Sequence, residues 1–237
     1  MSTVLITGAN RGFGLELAKQ YAAEGWRVLA CSRRSSPGLA GLVGLQPAVE
    51  THDLDVAEDG QIERLGTKLR NERIDVLINN AAILGREKTF SHEAAAEQAF
   101  GQLDHEEWLR VLRVNVLAPM KMAETFIEQV AASEQKKIIT FTSELGSISN
   151  NTIGGFYFYR TSKAAVNAMM KSMAIDLGKR GVLACAIHPG WARTDMGGKQ
   201  ATEDPVECMR GVRSVIASLH AGNAGQLLTF NGRTLPY

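Results

Sequence analysis

The chain has 237 residues, with 26 basic against 25 acidic side chains and a net charge of +1. Hydrophobic residues make up 45% and charged residues 22%, the balance of a globular protein with a sizeable core, which excludes collagen-like, coiled-coil and disordered chains. A near-neutral balance gives no electrostatic case for a nucleic-acid partner.

Taken in chain order, short apolar runs alternate with longer amphipathic segments. A strand is expected at residues 4–7, a helix at 14–24, a strand at 27–31, a helix at 60–71 and a strand at 74–79. A long helix at 105–132 follows, then a strand at 137–142, a helix at 159–180, a strand at 182–188, a helix at 204–219 and a strand at 226–230. The strand runs are rich in Val, Ile or Leu and stop at Gly, Asn, Ser or Pro, as buried parallel strands do. Their alternation with helices predicts right-handed crossovers and an α/β fold. That fold is a single doubly wound domain over 1–237, with helices on both faces of a mostly parallel sheet. Residues 32–47, rich in Gly, Ser and Pro, read as a handover between units, and polar residues 84–102 as a surface excursion.

Cys31, Cys185 and Cys208 are few and far apart. No zinc site, redox pair or disulfide framework fits them, and a reduced, cytoplasmic setting is expected. The histidines are scattered, with no second ligand at metal spacing, so no metal is expected. The opening MSTVLITGAN lacks the pattern of a secretory leader, and no apolar run approaches the ~18 residues of a membrane span. No membrane partner is expected.

After the first strand comes Thr7-Gly8-Ala9-Asn10-Arg11-Gly12-Phe13-Gly14. Glycines at a strand-to-helix turn let the backbone approach a pyrophosphate and aim helix N–H groups at it. The spacing is neither the standard dinucleotide fingerprint nor a Walker loop, so an ordinary tight turn remains open at this point. Further on stands Tyr159-Arg160-Thr161-Ser162-Lys163. Tyrosine and lysine at i and i+4 share a helix face, and a nearby ammonium pulls a phenol pKa down from about 10. That is what a general acid/base near neutral pH needs. Tyr157, six positions from Lys163, is off that face and reads as a pocket aromatic.

With these motifs in this order, the sequence resembles the short-chain dehydrogenase/reductase family over essentially its whole length. Gly8, Gly12 and Gly14 match the family's cofactor loop, and Asn79-Asn80-Ala81-Ala82 the turn after the fourth strand, with Ala82 where glycine is usual. Asn115 matches the helix asparagine, Ser143 the catalytic serine, Tyr159 and Lys163 the catalytic pair, and Pro189-Gly190 with Thr194 the turn after the sixth strand. The segment His188–Gly198 looks most like the C-factor and carbonyl reductase group. Ser143 and Tyr159 stand 16 positions apart, more than is usual, and the extra loop at 149–155 bears on the substrate pocket.

The resemblance implies a Rossmann domain with about seven strands that moves a hydride between nicotinamide and a carbonyl or alcohol. In it Tyr159 handles the proton, Lys163 lowers the tyrosine pKa and holds the ribose hydroxyls, and Ser143 stabilises the substrate oxygen. Asn115 opens its helix and binds a relay water. Asp55 meets the adenine amino group, with Asp53 a substitute, and Asn10, Phe13, Val56, Asn80 and Ala81 complete the cofactor contacts. No carboxylate ends the second strand, where an NAD enzyme keeps one. Ser32 stands there instead, with Arg33 after it and Arg11 in the glycine loop. Guanidinium groups suit a 2′-phosphate, so NADP(H) is expected over NAD(H).

The substrate loop is expected at about 190–204, and Trp191, Met196, Ile148, Ile153 and Phe156 suggest a hydrophobic aldehyde or ketone. A homodimer or homotetramer through the two long helices suits the family. A ketoacyl-thioester reductase shares every motif, and a cofactor-binding signal protein without turnover is the reading from another class.

Overall fold

The computed structural model describes residues 1–237, and alternating apolar side chains explain its central layer. In strand β1 (Thr3–Thr7), Val4 and Ile6 face one side while Leu5 faces the other. Val28 and Ala30 against Leu29 in β2 (Arg27–Ser32), and Ile78 against Leu77 in β4 (Val76–Asn79), repeat this. Both sets are buried, so both faces need cover. Helices α1 (Gly12–Ala23), α2 (Pro37–Leu45) and α8 (Pro205–Ala217) cover the first face with Leu17, Leu39 and Val212. Helices α3 (Asp59–Lys68), α6 (Ala118–Ala131) and α7 (Tyr157–Gly178) cover the second with Ile62, Phe126 and Met170.

The sheet runs β3-β2-β1-β4-β5-β6-β7-β8. Here β3 is Val49–Asp53, β5 Lys137–Phe141, β6 Leu183–His188, β7 Leu227–Thr229 and β8 Thr234–Leu235. All pairings are parallel except β7 with β8. This single Rossmann-like domain thus has eight strands where about seven were expected. The chain order reverses between β1 and β4, which opens a crevice at their C-terminal ends.

Several expectations need correction. Residues 32–47 hold α2, begun by a Ser36 side-chain cap with Pro37 in the first turn, and the edge strand β3 follows. The run 84–102 is no mere surface excursion: it contains α4 (His92–Glu97) and buries Leu84, Ala94 and Gln98. The long helix at 105–132 divides into α5 (His105–Leu112), a π-helical turn Arg113–Leu117, and α6. No helix is long and apolar enough to cross a membrane.

Candidate active site

A cleft of about 1630 Å³ follows the C-terminal edge of the sheet, well above the usual small-molecule pocket of about 300–1,000 Å³. At the switch point it meets the glycine turn, where Gly8, Asn10, Arg11, Gly12 and Phe13 line it. Arg11 precedes α1 without a side-chain cap, and the first turn of the helix carries no acidic residue. Its N–H groups and dipole are therefore left for an anion in the cleft. Asn80 holds the turn in place, its Nδ2 donating to the carbonyls of Thr7 (2.7 Å) and Gly8 (3.2 Å). Gly14 lies behind the lining rather than in it. A Cβ there would stand 2.3 Å from the Gly8 carbonyl oxygen, so its role is close packing. The donor set and uncapped helix start fit a dinucleotide pyrophosphate.

Ser32, Arg33, Asp53, Asp55 and Val56 line the cleft beyond β2 and β3, and Asn80 and Ala81 line it after β4. Neither expected arginine is free. Arg11 Nη1 lies 2.7 Å from Asp195 Oδ2, and Arg33 Nη1 lies 3.9 Å from Asp55 Oδ2. The Ser32 hydroxyl donates to the Arg34 carbonyl at 3.0 Å.

On the other side Ser143, Tyr159 and Lys163 come together. Ser143 follows β5 and caps the 3-10 turn Glu144–Gly146, its Oγ accepting from the Leu145 N–H at 3.1 Å. That turn presses on α7 because residue 146 is glycine: a Cβ there would lie 2.7 Å from the Lys163 carbonyl carbon. Lys163 Nζ donates to the Phe141 carbonyl at 2.8 Å and lies 5.4 Å from the Tyr159 ring centroid. Burial lowers the Lys163 pKa to about 7. Burial also raises the Tyr159 pKa, and the group opposing it is the Ser143 hydroxyl. In the resting site the group that acts to lower the phenol pKa is Ser143 rather than Lys163. Desolvation dominates at both groups, disfavouring the charged phenolate and the charged ammonium alike.

Asn115 does not line the cleft. Within the π-helical turn its Oδ1 accepts from the Ile83 N–H at 2.9 Å, and its Nδ2 donates to the Ile83 carbonyl (2.9 Å) and to Ser162 Oγ (3.0 Å). Ser162 in turn donates to the Tyr159 carbonyl at 2.8 Å. The asparagine side chain is thus spent bracing α7 against the turn after β4. The helix does open at Asn115, as π-turns at functional sites do.

Pro189, Gly190, Thr194, Trp191 and Met196 line the cleft from the loop after β6, and Ile153 and Phe156 from the loop before α7. Ile148 is 75% exposed and outside it. Tyr157 also lies outside, against Phe100 at 6.4 Å between ring centroids. Phe90 takes the aromatic place instead, 5.3 Å from the Tyr159 ring and 5.6 Å from Phe156. Its place in the polar 84–102 run carries no sequence signal for a pocket residue. The long loop folds back on the chain's last residues, Ser149 donating to the Tyr237 carbonyl through its N–H (3.0 Å) and its Oγ (2.6 Å).

Residues 2–205 match the sequence model of short chain dehydrogenases. The chain belongs to the short-chain dehydrogenase family. C-signal of Myxococcus xanthus is a 34% identical relative over 164 residues, 69% of this chain and 93% of that protein. Carbonyl reductase Sniffer of Drosophila melanogaster superposes over the full length of both chains with a TM-score of 0.88 and 28% identity. The NADPH-bound carbonyl reductase from chicken fatty liver gives a TM-score of 0.89 at 26% identity, covering 100% of this chain and 99% of that one. This short-chain dehydrogenase is therefore related to the C-factor and carbonyl reductase group.

Proposed function

We propose that the protein is a carbonyl reductase that uses NADP(H) in preference to NAD(H) and acts on a hydrophobic aldehyde or ketone. The observation that carries this is the meeting of Ser143, Tyr159 and Lys163 on the wall of a cleft that also receives the uncapped start of α1. Gly8, Asn10, Gly12 and Phe13 would hold the pyrophosphate, and Asp55, Val56, Asn80 and Ala81 the adenosine side. Ser32, Arg11 and Arg33 would meet the 2′-phosphate. Lys163, Pro189, Gly190 and Thr194 would hold the nicotinamide riboside. When bound, NADPH supplies the hydride that adds to the carbonyl carbon.

Ser143 donates a hydrogen bond to the substrate oxygen as negative charge develops there, the work of an oxyanion donor. Tyr159 passes its phenolic proton to the same oxygen, which completes the alcohol and leaves a phenolate. Lys163 stabilises that phenolate. Each charge favours the other, so the pair reaches ammonium and phenolate more readily than either buried residue ionises alone. Water entering the cleft returns the proton. Phe90, Phe156, Trp191 and Met196 supply an apolar, aromatic surface for the body of the substrate.

The test is NADPH oxidation against a panel of aromatic and aliphatic aldehydes, ketones and acyl thioesters. Turnover of the simple carbonyls is expected, and Tyr159→Phe should abolish it with little change in NADPH affinity, because only the proton donor is lost. Near-normal turnover in that variant sinks the assignment. Turnover confined to thioesters would make the protein a ketoacyl reductase. Tight NADPH binding without turnover would favour the cofactor-binding signal protein.

A further inference from the structure

Helix α7 begins without a cap of its own. Phe156, just before it, lies in the left-handed region at φ 50° and offers no side-chain acceptor, so the first-turn N–H groups need partners from elsewhere. One arrives from α4's end, 61 positions earlier: Gln98 Oε1 accepts from the Tyr159 N–H at 3.1 Å. The other end of the same amide, Nε2, donates to the Leu84 carbonyl at 3.1 Å. Gln98 is fully buried, so water cannot replace either bond. Leu84, Ala94 and Phe90 pack on Tyr159 in the same cluster. Gln98 itself is outside the cleft lining.

We propose that Gln98 is a positioning residue that fixes Tyr159 against Ser143. Its amide ties the backbone of the acid/base residue to the chain leaving β4, which also walls the cleft. Glutamine has the reach and the paired acceptor and donor for this, where an apolar residue of equal size has neither. The proposal rests on Tyr159 being the proton donor. A displacement of the phenol by about 1 Å is enough to cost on the order of 100-fold in rate. It would also weaken the Ser143 hydrogen bond, the interaction that opposes the raised phenol pKa.

Gln98→Met keeps the length and removes both hydrogen bonds. The variant is expected to lose at least about tenfold in kcat while Kd for NADPH changes less than about twofold. The pH limb of alcohol oxidation governed by Tyr159 is expected to move upward. Ring-labelled tyrosine NMR reads the same shift without turnover, since Tyr159→Phe identifies the signal among the four tyrosines. If wild-type protein fails to reduce any carbonyl, the functional reading fails, while the NMR midpoint still decides whether Gln98 positions Tyr159. Should Gln98→Met not fold, Gln98→Glu is the isosteric alternative. Its kcat, or its Tyr159 midpoint, is expected to depart from wild type at alkaline pH, where a carboxylate faces the Leu84 carbonyl. A kcat, pH limb and Tyr159 midpoint all equal to wild type in a folded variant would overturn the proposal, even if its melting temperature fell.

Discussion

In the proposed reaction Ser143 has two tasks through one hydroxyl. It sits where a substrate oxygen would meet Tyr159, and it is the group that works against the burial-raised phenol pKa. Ser143→Ala should therefore lower kcat by about 10²–10³-fold, the scale for losing one oxyanion donor. The acidic limb of alcohol oxidation should also move to higher pH. The sign follows from the hydrogen bond, which favours the phenolate, so its loss leaves desolvation unopposed. A pH–rate series on both proteins reads the two effects, and a change confined to KM would mean that Ser143 only binds substrate. Lys163 behaves differently. With a pKa lowered to about 7 by burial, its charge fades as pH rises through neutrality unless a phenolate or another anion sits beside it.

At the scale of elements, docking distances set the geometry more than helix propensity does. Helix α1 lies so close to the turns after β1 and β4 that a Cβ at Gly14 would meet the Gly8 carbonyl oxygen at 2.3 Å and Asn80 Nδ2 at 2.6 Å. Backbone cannot yield as a flexible side chain can, so α1 would have to move outward. Gly14→Ala is expected to cost about 1–3 kcal/mol of stability, the range for overpacking, and to weaken NADPH binding more than tenfold. Urea denaturation and a fluorescence titration measure these. Wild-type affinity in the folded variant would show that the helix start does not set the cofactor site. The π-helical turn between α5 and α6 works by the same logic, since Asn115 reaches both Ile83 and Ser162 from it.

Over the whole molecule, three distant segments close on one another around the cleft. Arg11 pairs with Asp195 at 2.7 Å, Thr89 Oγ1 donates to the Asp195 carbonyl at 2.7 Å, and the Phe90 N–H donates to the Met196 carbonyl at 2.9 Å. The arginine expected to meet a 2′-phosphate is thus held by a carboxylate of the loop after β6. Both partners are more than half exposed, and such a pair contributes only about 0–1 kcal/mol, so a phosphate of higher charge should displace it. The expected outcome is a preference for NADPH over NADH of at least about tenfold in kcat/KM, roughly 1.4 kcal/mol. Ser32→Asp with Arg33→Ala should erase it, and Asp195→Asn should tighten NADPH binding more than NADH binding. Equal efficiency with the two cofactors in the unaltered protein would count against this assignment of Arg11 and Arg33.

The sequence by itself determined the layered α/β architecture and the residues of the candidate chemistry. Burial on both faces of a parallel strand leaves continuous apolar runs such as Val4–Ile6, and a Tyr–Lys pair four apart on a helix is a local pattern. Tyr159, Lys163 and the glycine turn were legible for that reason, while Ser143 was legible only through the family resemblance. Helix α2, rich in glycine, and the short edge strand β3 carry little local pattern, so neither was expected. The π-helical turn at Arg113–Leu117 left no mark in the helical pattern of 105–132, and only the family resemblance at Asn115 pointed to an opening there. Only the tertiary structure decided what surrounds Tyr159. Phe90 and Gln98 come from a stretch whose composition is polar, and they serve the site because the fold lays that stretch across the start of α7. It also decided the direction of the pKa shifts: the i and i+4 spacing places Lys163 near the phenol, but burial raises the phenol pKa and lowers the lysine's. Desolvation depends on everything packed around a group, and no spacing along the chain encodes it.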